Sequence, residues 1–222
     1  MLPLLHLCDS LFPIGGFAYS DGLEAATASG QIADGAGLRH WLDTCLDESF
    51  GRCDGVAVVR AWTAFTAGDW TVLTTLDAEV TALRPSGAAR RSSRAMGQRL
   101  LGMWQSLHPD AHLAYALGLV REGRLGPALP VAFAGAAATS GVDCRTTAEA
   151  FAYTRLAATV SAAMRLMAIG QHEAHQLLAR TLERVPRIVD RAMDAIDIES
   201  FAPAMDVASM SQQYLHSRLF RS

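Results

Sequence analysis

The sequence predicts an all-α fold, a single-domain multi-helix bundle, on three observations. Apolar residues recur at spacings of three and four, as in Tyr153, Leu156, Val160, Met164 and Met167, and again in Leu178, Leu182, Val185, Val189, Ala192 and Ile196. That rhythm puts them on one helix face. No alternating pattern supports a strand, and the run Val56-Ala57-Val58-Val59 is too short to force one. Third, the gaps between periodic segments are short, which leaves no linker or second domain. With 222 residues, half of them hydrophobic, the chain has material for one sizeable core and is read as one domain over 1–222.

Taken in order, helices are expected near 21–30, 37–50, 53–67, 70–83, 86–107, 110–122 and 130–140. Asp34 and Asp69 suit N-caps, and Pro85 opens a helix. His108-Pro109 and Gly126-Pro127 break the chain. Thr146 with Glu149 forms a capping box for the helix that follows, and Gly170 suits its C-terminal end. Pro186 should kink or split the next helical run near Val185. The segments 1–20 and 200–222 are the exceptions. They lack a regular helical pattern yet carry Phe12, Phe17, Tyr19, Phe201, Met205, Met210, Tyr214, Leu219 and Phe220. Partners are expected to order these ends.

Composition excludes several functions. All 19 basic residues are Arg, so a P-loop lysine, a Schiff-base lysine and a lysine general base are absent from this chain. A formal net charge of −3 argues against a dedicated nucleic-acid binder. Cys8, Cys45, Cys53 and Cys144 form no C-x-x-C pair, so they suggest neither a zinc site nor a redox motif. The N-terminus has no basic stretch leading into a long apolar run, and no segment has the length and apolarity of a membrane span. A cytoplasmic protein without membrane or nucleic-acid partners is expected.

Candidate chemistry is sparse. His172-Glu173-Ala174-His175 falls one residue short of the H-E-x-x-H metal motif, and a solvent-facing first turn is the plainer reading. His6 with Cys8 offers two ligands of the several that a metal needs. Arg180, Arg184, Arg187 and Arg191 line one face with Glu183, Asp190 and Asp194 interleaved, as a self-neutralising surface would. Arg84, Arg90, Arg91, Arg94 and Arg99 have no acid between them, so that cluster could equally face a partner. No nucleophile and base pair up, and Glu24, a conceivable general acid, reads first as helix-dipole pairing in a first turn. A rival reading is an all-helical enzyme whose bundle holds a metal or organic cofactor on His172, Glu173 and His175.

The most informative stretch is Phe12-Pro13-Ile14-Gly15-Gly16-Phe17-Ala18-Tyr19-Ser20-Asp21-Gly22-Leu23-Glu24. A Phe-Pro step biases the backbone to extended geometry, and two glycines allow a tight turn that presents Phe17 and Tyr19. This pattern resembles the opening of the UreF family of urease accessory proteins. Collinear matches follow: Leu83-Arg84 through Ser93, Gly97, Leu100 and Leu101; Gln171, Gln176 and Leu178; Asp206 to Met210; and Ser217-Arg218-Leu219-Phe220-Arg221-Ser222.

The resemblance implies a dimeric accessory protein, with no cofactor and no catalysis of its own. It would bind a UreD/UreH-type accessory protein and a UreG-type GTPase on the urease apoprotein, with GTP and nickel belonging to the partners. Partner contacts are expected at Phe12, Pro13, Gly15, Gly16, Phe17, Tyr19, Ser20, Gly22, Leu23 and Glu24, and at Arg218, Leu219, Phe220, Arg221 and Ser222. Arg218, among apolar neighbours, is expected to be desolvated and bonded. Gln212-Gln213 stands where the family commonly has His-Glu, and His216 where tyrosine is usual.

Overall fold

The computed structural model describes residues 1–221. Its elements are α1 (Leu2–Leu7), α2 (Leu23–Ala28), α3 (Gly35–Thr44), a π-helical stretch (Cys45–Asp54), α4 (Gly55–Ala67), α5 (Trp70–Ala82), α6 (Gly87–Leu107), α7 (Ala111–Arg121), α8 (Leu129–Thr139), α9 (Cys144–Leu166), α10 (Gln171–Leu182), α11 (Val185–Asp194) and α12 (Pro203–Ser211). Short 3-10 turns cover Gly16–Ala18 and Gln212–Tyr214. Among the described residues there is no strand, and no helix is long and apolar enough to cross a membrane.

Helix α8 is the centre. Every residue from Leu129 to Ala137 is buried, so it is apolar all round and must be enclosed. Its alanines let neighbours come close, and α4, α6 and α9 pack around it. Trp104 and Phe65 are fully buried in this core, each contributing roughly 1.5–3 kcal/mol of apolar burial.

Polar ties fix the outer helices. Asp77 of α5 accepts hydrogen bonds from the amides of Gly126 (3.0 Å) and Ala128 (2.6 Å), which holds the approach to α8. Arg184 reaches Asp43 of α3 and Asp47 of the π stretch, with Nη2 2.7 Å from Asp47 Oδ1 and 2.5 Å from Oδ2. It therefore leaves the self-neutralising arginine face expected for it, and Asp190 likewise pairs with Arg145 of α9.

Several boundaries differ from the sequence expectation for identifiable reasons. The helices expected at 37–50 and 53–67 are one continuous run, because the Gly55 amide bonds Phe50 O in a π register that carries the chain through Gly51. The N-cap of α9 is Asp143, which accepts from the Thr146 amide at 2.9 Å and pre-empts a Thr146 capping box. Gly170 caps the start of α10, not the end of α9. Pro186 does split the run, sitting in the first turn of α11, whose end at Asp194 leaves Ile196 exposed. Helix α2 begins only at Leu23, since Asp21 and Gly22 have φ of 50° and 90°. Two helices, α1 and α12, form within the end segments read as irregular.

Candidate functional site

The two ends of the chain meet, and Glu24 is where they are joined. Its side chain is buried at the start of α2. The carboxylate accepts from Gln212 Nε2 (2.9 Å), from the Phe220 amide (3.2 Å) and from the Leu219 amide. The Ser20 hydroxyl donates to Gln212 Oε1 at 3.1 Å, so the Gln212 amide is used on both its faces. Phe220 is buried, Arg165 lies 4.4 Å over its ring, and the Arg221 amide donates to Ala18 O at 2.8 Å. The single chain thus orders both ends against each other.

Beneath this joint α12 crosses α2. A Cβ on Gly22 would stand 2.7 Å from the Ser209 amide nitrogen, so no side chain fits there, and the positive φ excludes one independently. Asp21 pairs with Arg155 of α9. The Ser86 hydroxyl donates to Ser209 O at 3.4 Å. Below α12 lies a crevice of about 110 Å³ where Arg84 pairs with Asp54 at 2.6 Å and Asp206 stands nearby. Burial pushes the Asp54 carboxyl above its usual range despite the guanidinium, and does the same to Asp206.

The outer surface of the joint is built from the Gly-Gly loop. Gly15 has φ 77°, and the Arg99 guanidinium lies over it, donating to Ile14 O at 3.2 Å. Arg165 Nη1 donates to Phe17 O at 3.1 Å. Both loop carbonyls are thereby held, yet the Phe17 side chain stays 74% exposed, with Leu219 at 54% beside the same pocket. A large apolar ring held out on a fixed backbone is the kind of group an interface uses as an anchor.

The expected contact residues divide by position. Phe17, Leu219, Arg218, Arg221 and Pro13 are exposed, and Tyr19, Gly15 and Gly16 are half-buried. Phe12 is core, with its ring 5.7 Å from Trp104 and 5.2 Å from His6. Ser20, Gly22, Leu23, Glu24 and Phe220 are buried and build the joint. Arg218 is not desolvated, because the tail is anchored through Phe220 and the backbone amides. Ser222 lies outside the described residues. Glu24 does stand in the first turn of α2, as expected, and its carboxylate also holds the distant tail.

Other candidates are dispersed. His172, Glu173 and His175 are exposed, and His172 Nε2 lies 2.9 Å from Gln176 Nε2. Among the described residues no three His, Cys, Asp or Glu side chains gather as a metal site. His6 packs against aromatic rings, and burial pushes the Cys8 thiol up to about 11. Of the acid-free arginine cluster, Arg84 turns inward to Asp54, Arg90 bonds Arg84 O and Pro85 O, and Arg99 backs the loop. Sequence reasoning missed Gln212, Arg155 and Arg165 as parts of the joint. Gln212 was visible only as a departure from a motif.

A family model described as UreF matches residues 32–182. The chain is similar over almost its full length to proteins named urease accessory protein UreF. It is 35% identical to the one from Rhodopseudomonas palustris strain BisB5 over 213 residues, covering 95% of this chain and 86% of the relative. It is 34% identical to that of Methylibium petroleiphilum over 224 residues, covering all of this chain and 94% of the relative. The protein from Bradyrhizobium diazoefficiens is 33% identical over 217 residues, which is 95% of this chain and 87% of that one. The chain belongs to the UreF family. The joint accounts for the second half of the UreF-like motif: Ser20 bonds Gln212, Gly22 admits α12, Leu23 enters the core and Glu24 holds the tail. The UreF model's match stops short of both ends, whereas the pairwise likenesses extend into them.

Proposed function

We infer that this protein acts in urease maturation as a non-catalytic platform. It forms a homodimer, bridges a UreD/UreH-type accessory protein and a UreG-type GTPase on the urease apoprotein, and modulates GTP-dependent nickel delivery. Nickel and GTP are cargo and substrate of the partners, consistent with a chain that has no lysine for a phosphate loop. The observation that carries the reading is the exposed Phe17 on a loop whose two carbonyls are clamped by Arg99 and Arg165. Ordering that loop in advance removes part of the entropy a partner would otherwise lose on docking.

The test is urease activation in a reconstituted system containing apo-urease, the two accessory partners, nickel and GTP. Wild-type protein should support activation and Phe17→Ala should reduce it severalfold at limiting concentration. Equal activation by the two proteins would remove Phe17 from the platform.

A further inference from the structure

Beside Phe17 lies a pocket of about 350 Å³ formed where the loop and the tail meet. Arg99, Arg165 and Arg221 line it, with Phe17, Tyr19 and Leu219, and none of its lining residues is acidic. Arg99 and Arg165 each direct one guanidinium nitrogen to a loop carbonyl, which fixes the groups in place and leaves their other donors open. Neither enters an ion pair with a described residue, and the Arg221 side chain makes no hydrogen bond to one. The nearest carboxylate of the joint, Glu24, is committed to Gln212 and the tail amides. Two guanidiniums held by the loop, Arg99 and Arg165, and a third exposed one, Arg221, therefore line one pocket, and among the described residues none of the three has an ion-pair partner, in a chain whose net charge is −3.

We propose that this pocket binds a carboxylate, an acidic side chain carried by the accessory protein that docks on the joined ends. The proposal rests on the platform reading above and specifies its chemistry. Planar guanidiniums with fixed orientation suit the two oxygens of a carboxylate, and Phe17 and Leu219 supply the apolar border that excludes water from the pair. The mobile part of the recognition is small, because loop and tail are already bonded to each other.

The experiment measures binding of the UreD/UreH-type protein and UreG-type GTPase, added together, to the immobilised full-length chain. Variants are Arg221→Gln, Arg99→Gln with Arg165→Gln, and Phe17→Ala, each at 50 and 300 mM NaCl. Arg221→Gln keeps the backbone bond to Ala18, so its melting temperature should equal that of wild type. It should weaken binding about fivefold, and the double variant by about tenfold or more, as charge-assisted contacts of this kind do. The wild-type affinity should fall with salt and the double variant should lose that dependence.

Salt-insensitive wild-type binding, or unchanged affinity in Arg221→Gln and the double variant, would overturn the pocket assignment. If Phe17→Ala alone weakens binding, the platform stands and the carboxylate site falls. If wild type binds neither accessory protein, the platform reading itself falls. Inorganic phosphate at 10 mM that binds the pocket without displacing the partners would also refute the proposal, marking a free-anion site.

Discussion

Glu24 gathers three donors from the far end of the chain onto one buried carboxylate, and its removal should be felt there first. Glu24→Ala leaves the Leu219 and Phe220 amides and Gln212 Nε2 without their acceptor. Unpartnered buried donors cost roughly 1–3 kcal/mol each before water re-enters. Hydrogen exchange at Leu219 and Phe220 should rise by at least tenfold, while amides of α8 keep their protection. Exchange that rises throughout α8 would place Glu24 in the global core instead. Phe17 gives the opposite prediction. At 74% exposure its truncation should leave the melting temperature unchanged and lower partner affinity by more than tenfold, about 2 kcal/mol, by titration calorimetry. A lowered melting temperature with unchanged affinity would return Phe17 to a packing role.

At the scale of elements, α12 is seated by backbone approach and by a charge cluster. Gly22→Ala would drive a methyl into the Ser209 backbone at a positive φ, and an expected loss of roughly 2 kcal/mol or more is read by urea denaturation. The Arg84–Asp54 pair beneath α12 sets a pH response. The folded Asp54 carboxyl titrates above its unfolded value of 3.8, so the native state takes up a proton first as pH falls. Its contribution to stability is greatest below the unfolded pKa and is lost as pH rises through the folded one. Arg84→Gln removes the cation that lowers that pKa, so the loss should grow, by roughly 3 kcal/mol at pH 7, and shrink on acidification toward pH 4. Equal destabilisation at both pH values would mean that Arg84 acts through packing alone. The helices of the bundle were legible in the sequence because burial of one stripe imposes a period of three and four, as in α9 and α10. The π stretch was not, since Gly51 looks like a break between two helices unless the Gly55 to Phe50 bond is known.

For the whole molecule, the organising fact is closure of the chain ends on one another. Ser20 and Glu24 lie 192 and 188 residues from Gln212 in sequence, and contacts at that separation leave no local period to read. Motif resemblance marked both ends as important, but it could not distinguish Glu24 and Phe220, which build the joint, from Phe17 and Leu219, which remain outside it. The platform reading makes that exposed layer the docking face. Hydroxyl-radical footprinting of the full-length protein, with and without the UreD/UreH-type protein and UreG-type GTPase, tests it most directly. Oxidation of Phe17 and Leu219 should fall severalfold on complex formation, while Tyr115 on α7, 52% exposed, is unchanged. Protection of Tyr115 with Phe17 and Leu219 still oxidised at the free rate would contradict the account.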